Sequence, residues 1–387
     1  MADARVRLQK DAIAAPESPR VSRLRGFGAL TLPLLVDACT ALGYVPFPRV
    51  ALHFGATPFQ LGLLGSLPLA AFVAVCLTAG GLSDRWGRRR VLLVGVLGHL
   101  LALALARHAA SLPVLLLAAA LLGVGGGFFW PAVEAAVGDT HGHGTLGRGL
   151  LLFNLGWTGG MSLGAAAGGW LSDLGLFLPF TVGLAVGGAA IPILFFWPPR
   201  GAAPGDEEHP ALAPMAAEAA DHFLLLARIA NFTAFFAVAC VRALFTPLGE
   251  HLGFGGGLIG GLIGLVTVAQ ALTFVPLAGS RRWQYRMLPV LAAQSAVVAA
   301  MLGTGLSASP WAFALSLAAL GAGVGVTYTA SLFYSLNRPT GRGRMGAIHE
   351  AILGGGAMAG PFLGGALANR FGLRAPYFLA AAVVALG

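Results

Sequence analysis

The chain has 387 residues, of which 57% are hydrophobic and 10% charged, and its formal net charge is +9. A soluble domain is roughly 45–50% apolar and about 25% charged, so this composition excludes an ordinary soluble protein and indicates an integral membrane protein. The basic residues fall in loops rather than in a stripe interleaved with aromatic side chains, which argues for membrane topology and against nucleic-acid binding.

The first 25 residues are predicted to form a cytoplasmic tail, because they contain six basic residues and lack the apolar core of a cleavable signal peptide. Apolar stretches follow, most of them near the roughly 20 residues that cross a bilayer as a helix. Twelve spans, numbered 1 to 12, are predicted at 27–47, 58–80, 91–107, 112–136, 149–171, 174–197, 223–247, 257–279, 287–304, 310–335, 345–368 and 375–387. Only thirteen residues follow Arg374, so we expect span 12 to be incomplete or the chain to be clipped.

One long connection divides the spans into two sets of six. Residues 198–222 are rich in Pro, Ala and acids, which is typical of a linker, and separate a bundle at 26–197 from a bundle at 223–387. Most loop arginines fall on the side of the N-terminal tail, so both termini are expected in the cytoplasm if all twelve spans cross. We expect a multi-pass protein of a bacterial inner membrane.

A dense polar loop between spans 2 and 3 carries the clearest motif. It reads Gly-Gly-Leu-Ser-Asp-Arg-Trp-Gly-Arg-Arg-Arg over residues 80–90. Gly87 permits a tight turn, and Asp84 can cap a helix end or pair with an arginine. We predict a conformational latch here, with topology anchoring as the alternative role of the arginines; its residues are Gly80, Asp84, Arg85, Gly87, Arg88 and Arg89.

This loop resembles the motif Gly-x-Leu-x-Asp-Arg-x-Gly-Arg-Arg of the major facilitator superfamily, residue by residue. The resemblance implies an all-α membrane protein with two pseudo-symmetric six-helix bundles around a central cavity. Spans 1, 4, 7 and 10 would line that cavity, assisted by spans 2, 5, 8 and 11. The latch would form in the outward-open state and break as the cytoplasmic side opens. The matching loop of the second half has Arg281 where Asp84 would stand, so no second latch is predicted.

Spans 5 and 11 share a glycine repeat, which supports an internal duplication. Its members are Gly160, Gly164, Gly168 and Gly169 in span 5 and Gly356, Gly360, Pro361, Gly364 and Gly365 in span 11. The repeat resembles the antiporter motif of proton-coupled drug exporters, but that motif belongs in span 5, where this chain has Ala165 instead of proline. Close packing of helices through small residues is the alternative reading.

Ionisable groups inside the spans are candidates for proton coupling, because each costs at least roughly 2.5–3.5 kcal/mol at mid-bilayer unless it is paired or hydrated. Asp37 lies near the middle of span 1, with packing against another helix as its alternative role. Arg242 in span 7 is predicted to bind an anionic group or neutralise an acid, or else to snorkel. His349 and Glu350 suit a proton relay or a structural salt bridge. Glu134 is assigned to the inner gate.

Polar and aromatic side chains in the spans predict the character of the cavity. Tyr44, Asn154, Asn231, Gln270 and Tyr328 are the candidates to contact a substrate. Trp130, Trp157, Ser331 and Tyr334 are further candidates. Because aromatic groups outnumber charges, a small amphipathic or hydrophobic compound suits this set better than a sugar or a polyphosphate.

These features predict a secondary active transporter, since no nucleotide-binding motif is present. We expect proton-coupled export of small hydrophobic compounds by alternating access, with proton-coupled uptake of a small metabolite as the alternative and a non-transporting membrane sensor as a third possibility. No cofactor, metal or enzymatic activity is predicted. The expected partners are a small-molecule substrate, protons and the lipid bilayer, and a monomer is expected.

Overall fold

A computed structural model describes residues 19–79, 82–140, 146–196, 217–280, 282–336 and 342–387. Most of the N-terminal tail, most of the 198–222 linker, Gly80 and Arg281 therefore lie outside the described residues, as do the side chains of Asp84, Arg148 and Arg344. The described residues form helices and no strands. The helices are Pro19–Ala41, Pro46–His53, Pro58–Ala79, Leu82–Trp86, Arg88–Arg107, Leu112–Thr140, Leu146–Leu174, Leu178–Gly188, Ala190–Phe196, Ala217–His251, Gly256–Gly279, Met287–Leu306, Pro310–Leu336, Arg342–Phe371 and Ala375–Leu386.

The prediction of twelve helical spans is confirmed for the described part of the chain. Span 1 is broken by a turn at residues 42–45, and span 6 consists of two short helices. Ten of the segments are long and apolar enough to cross a membrane, and span 5 is not among these ten. Span 12 is a 12-residue helix, shorter than the others. Proline opens several helices, where its missing N–H costs nothing.

The two bundles are related by an internal repeat that is visible in the packing. A Cβ atom at Gly160 would overlap the carbonyl oxygen of Leu34, and one at Gly356 would overlap that of Phe232. Spans 1 and 7 are thus in register at an offset of 232 − 34 = 198 residues. Gly164 and Gly360 repeat this contact one turn further along. The glycine repeats therefore bring span 5 against span 1 and span 11 against span 7, as small-residue packing predicts.

Two further crossings join one bundle to the other. Span 5 runs along span 8, where Gly169 meets the backbone of Gly256, and span 2 runs along span 11, where Gly62 meets Pro361. The Ser66 hydroxyl donates a hydrogen bond to the Met358 carbonyl at 3.0 Å in the second crossing. Both crossings lie at the rim of the interface and leave its centre open between the bundles.

The polar loop between spans 2 and 3 contains the tight turn that its sequence predicts. Gly87 has a φ of +88°, which a residue with a Cβ rarely adopts. Arg88 donates to the Ser83 hydroxyl at 2.5 Å, and Arg89 donates to the Phe195 carbonyl at 3.2 Å. These contacts stay within the N-terminal bundle, and the latch, in which Asp84 caps a helix end or pairs with an arginine, stays a prediction.

Candidate transport cavity

A cavity of about 350 Å³ lies between the two bundles. Residues of spans 1, 2, 3, 4, 5, 7, 8, 10 and 11 line it, which includes all eight spans that were expected. Most of the lining is apolar. Its polar and amphipathic members are Asp37, Thr40, Tyr44, His99, Trp130, Glu134, Trp157, Arg242, Gln270, Tyr328 and Glu350.

The cavity is closed at the end of the bundles that lies opposite the arginine-rich loop 82–90, which we call the far end. Arg49 of the N-terminal bundle donates to Glu250 of the C-terminal bundle at 2.6 Å and to Asp173 at 2.8 Å. The Asp173 carboxylate also accepts the backbone N–H groups of Gly256 and Gly257, each at 2.8 Å. We call these five residues the far-end clasp. It joins the two bundles and caps the first turn of span 8.

The clasp holds Asp173 in its charged form. Burial alone would raise the pKa of Asp173, but hydrogen bonds from Gly257 and Gly256 and the adjacent Arg49 guanidinium outweigh it and lower the pKa below its usual 3.8. Arg49 also donates to the Ser172 hydroxyl at 2.7 Å, which fixes the orientation of the guanidinium. The closure is therefore ionic and stays so at ordinary pH.

The opposite end of the cavity, which carries the arginine-rich loop, is open. Glu134 of span 4 and Glu350 of span 11 line the cavity there, and the Glu350 side chain is 40% exposed. Their charges interact with each other and with the nearby Tyr328. The two carboxylates come from different bundles, so they flank the opening from both sides. Glu134, assigned to a gate from the sequence, thus lies at the mouth and also lines the cavity.

Two ionisable side chains, Asp37 and Arg242, lie in the closed part of the cavity. Asp37 is 5% exposed, and Arg242 lies close enough for their charges to interact. The Arg242 guanidinium is 5.8 Å from the centre of the Tyr44 ring, a cation–π distance, and Nη2 lies 2.9 Å from the Met161 sulfur. Spans 1 and 7 therefore place one carboxyl group and one guanidinium in the same, mostly apolar part of the cavity wall.

Aromatic side chains line the next level of the cavity. The Tyr328 ring lies 6.4 Å from Trp157, 6.2 Å from Phe235 and 5.9 Å from Phe274, measured between centroids. Trp157 is held in turn by its Nε1–H, which donates to the Asn154 side-chain oxygen at 2.9 Å. These contacts come from spans 5, 7, 8 and 10, so the ring cluster spans both bundles.

The internal repeat pairs unlike residues across the cavity. At the offset of 198 residues Asp37 corresponds to Phe235, Tyr44 to Arg242 and Phe72 to Gln270, and all six line the cavity. Two similar walls thus carry different chemistry. Charge or hydrogen-bonding capacity at each level comes from one bundle, and an aromatic ring comes from the other.

Five of the residues predicted to face the cavity are not part of its lining: Asn154, Asn231, Ser331, Tyr334 and His349. Asn154 supports Trp157 and is not part of the lining. His349 is fully buried, with Nδ1 2.9 Å from the Ser331 hydroxyl and Nε2 3.9 Å from a Glu350 oxygen. Asn231 is also fully buried, and neither atom of its amide has a hydrogen-bond partner among the described residues. Their predicted roles remain predictions.

The sequence profile described as Major Facilitator Superfamily matches residues 34–338. The chain belongs to the Major Facilitator Superfamily. Members of this family are transporters, so this Major Facilitator Superfamily protein is a membrane transporter and not an enzyme. The resemblance drawn from the loop motif is confirmed, whereas the finer likeness to drug exporters stays a prediction.

Relatives that are named for different substrates match this Major Facilitator Superfamily chain. It is 31% identical over 318 residues to the 3-(3-hydroxy-phenyl)propionate transporter of Escherichia coli (strain K12), covering 79% of this chain and 76% of that protein. The multidrug resistance protein MdtG of Dickeya zeae (strain Ech586) is 33% identical over 144 residues, 35% of each chain. A bacterial homologue of the human lysosomal transporter Spinster, in an inward-facing and unoccupied conformation, has the same fold, with a TM-score of 0.72, 17% identity and 95% of both chains covered.

The sequence did not reveal every residue that matters at this cavity. His99 of span 3 lines it, with its ring Nδ1 2.8 Å from the Gly95 carbonyl. The far-end clasp is a second feature that the sequence did not predict, because Arg49, Asp173 and Glu250 are far apart along the chain. One arginine and two acids at the ends of three spans, all on the less basic face, are the signal that could have predicted it.

Proposed function

We propose that this transporter carries a small organic acid with an aromatic body into the cell together with a proton. One observation carries the proposal: Arg242 and Asp37 both line the closed part of a largely apolar cavity. An arginine in such a wall is costly unless an anion accompanies it. The substrate carboxylate can be that anion, and the ring cluster below it suits an aromatic body.

The same pair provides a coupling mechanism. In the empty cavity Asp37 balances the charge of Arg242. A substrate carboxylate that binds Arg242 brings a second negative charge next to Asp37, and a proton on Asp37 relieves the repulsion. Proton and substrate then favour each other's binding, as linkage requires. Arg242, the substrate and protonated Asp37 together carry no net charge, which lowers the cost of occlusion.

The proposal includes an orientation in the membrane. The arginine-rich end is assigned to the cytoplasm by the positive-inside rule, so both termini lie inside and the far-end clasp faces outward. The described conformation is then open to the cytoplasm. Two bundles with borders near 26–197 and 223–387 rock about the cavity of a monomer in a bacterial inner membrane, with the Asp84 latch forming when the cytoplasmic side closes.

The Escherichia coli relative supports this substrate class, because the compound in its name is an aromatic carboxylate. The test uses the full-length protein in liposomes with labelled 3-phenylpropionate. We expect accumulation that is driven by a pH gradient. Asp37→Asn should exchange substrate across the membrane but no longer accumulate it, and Arg242→Gln should lose binding. Arg107→Gln is the control, since Arg107 donates to Thr181 away from the cavity. Binding that survives Arg242→Gln unchanged would refute the proposal.

Proton-coupled export of small hydrophobic or amphipathic compounds, the function favoured by the sequence, is a second candidate. The mostly apolar lining favours it, and so does the printed name of the Dickeya zeae relative. The sign of the substrate-dependent proton flux separates the two: symport moves protons with the substrate, and export moves them against it. A protein that binds ligand without any flux would be a sensor.

A further inference from the structure

We propose that the Gln270 amide donates a hydrogen bond to a polar group on the ring of the substrate, so that the cavity selects ring-hydroxylated aromatic acids over unsubstituted ones. The inference rests on the proposed function, because it assumes a substrate carboxylate at Arg242. It adds a second recognition point, and hence a narrower substrate class.

The Gln270 side-chain amide is buried in the cavity wall. Gln270 is 1% exposed and lines the cavity, and among the described residues its Nε2 atom has no hydrogen-bond partner. A buried donor without a partner is costly, and such groups in native proteins call for a partner from outside the chain. A ligand with an acceptor at this level of the cavity supplies one.

The internal repeat places an aromatic ring at the position equivalent to Gln270. The position equivalent to Gln270 in the other bundle is Phe72, 198 residues earlier, and both line the cavity. Packing therefore accommodates an aromatic side chain at this level, and a buried amide in its place adds specificity rather than stability. Phe72 supplies an apolar surface on the opposite wall, against which a ring can lie while Gln270 contacts its edge.

Arg242 and Gln270 lie at different depths in the cavity. Arg242 precedes the far end of its helix, His251, by nine residues, and Gln270 follows the far end of its helix, Gly256, by fourteen. At 1.5 Å per residue these positions lie about 13.5 Å and about 21 Å from the far end, so Gln270 is roughly 7.5 Å deeper. In an extended 3-(3-hydroxyphenyl)propionate the carboxylate and the phenolic oxygen are roughly 7 Å apart, from bonds near 1.5 Å. One such molecule can reach both residues.

The rings around this level complete the site. Phe274, one turn after Gln270 on the same span, contacts Tyr328, which also contacts Trp157. These rings favour a flat apolar body. The Trp157 Nε1–H already donates to Asn154, which leaves the Tyr328 hydroxyl and the Gln270 amide as the polar groups of this level.

The test measures the dissociation constants of 3-phenylpropionate and 3-(3-hydroxyphenyl)propionate by calorimetry with the purified full-length protein. We expect the hydroxylated acid to bind about tenfold more tightly, the value of one well-made hydrogen bond. In Gln270→Leu the ratio should fall to about one, because the hydroxylated acid loses affinity while 3-phenylpropionate keeps or gains it. Gln270→Met, of similar volume, serves as a second variant. Gln294→Leu is the matched control, since Gln294 donates to Thr233 and does not line the cavity.

Each outcome decides between the two claims. An unchanged ratio in both Gln270 variants, or a wild-type ratio near one, overturns the inference and leaves the proposed function intact. Binding of neither acid by the wild type overturns the proposed function itself. Should neither variant fold, the wild-type ratio alone decides. A ratio that falls equally in the Gln294 control would also overturn the inference, because the selectivity would then follow general stability.

Discussion

The far-end clasp should set the balance between the two orientations of the cavity, and Asp173→Ala is the sharpest perturbation of it. The substitution removes the cap of span 8, which is worth about 1 kcal/mol. It also removes the pair with Arg49, whose side chains are 21% and 36% exposed, so solvent screening reduces that contribution to about 0.5 kcal/mol. The sum of about 1.5 kcal/mol raises the population open at the far end slightly more than tenfold.

The assay is a distance measurement between two spin labels in liposomes. His53 and His251 are exposed on opposite sides of the clasp, one in each bundle, and cysteines there would report its opening. The three native cysteines, of which Cys39 and Cys240 are buried, are first replaced by alanine. We expect one short distance in the parent protein and a second, longer one in the Asp173→Ala variant.

The control separates the clasp from general loosening. Arg107→Gln removes an arginine at the same end of the molecule, but its partner Thr181 belongs to the same bundle. It should leave the distances unchanged. If Asp173→Ala also leaves them unchanged, or if the control shifts them equally, then the clasp does not hold the far end closed and the reasoning fails.

Three further outcomes are expected. The clasp should stay closed from about pH 8 to about pH 5, because the lowered pKa of Asp173 confines the loss of its stabilising charge to pH values below about 3.8; opening at pH 5, measured with the same labels, would contradict this. Gly360→Val should lower the melting temperature by an amount equivalent to about 2 kcal/mol or more, because its side chain overlaps a neighbouring carbonyl, whereas Gly261→Val, which meets open space, should change it little. Glu134→Gln should raise the population closed at the arginine-rich end severalfold, because it leaves one carboxyl group instead of two at the mouth that must come together on closure, and labels at that end showing no change would count against it.

The sequence predicted those parts of the molecule that depend on local pattern. Apolar length predicted the spans, and the spacing of Gly160 and Gly356 predicted the duplicated packing, because such signals are contained in single helices. The clasp could not be predicted in the same way. Arg49 and Glu250 are 201 residues apart and meet only because two bundles close on each other.

The candidate site shows the same division. Asp37, Tyr44 and Arg242 are predicted from the sequence as charged or aromatic groups within the spans, and they do line the cavity. Asn231 and His349 are also polar side chains within the spans, but they lie behind the wall. Their position could not be predicted, because hydropathy does not show which side of a helix faces the cavity. A helical face can be assigned only once the neighbouring helices are known.

The unlike pairs across the internal repeat have a consequence for how a ligand lies. Walls that repeated the same groups at each level would accept a molecule in two poses related by a half-turn about the axis between the bundles, whereas Arg242 on one wall and Tyr44 on the other make those two poses unequal. If the proposed function holds, an anionic head points to the closed end and the tail to the mouth between Glu134 and Glu350. Bulk added to the tail should then be tolerated, and bulk next to the head should not. Unlike walls would thus leave a proposed substrate a single way to lie.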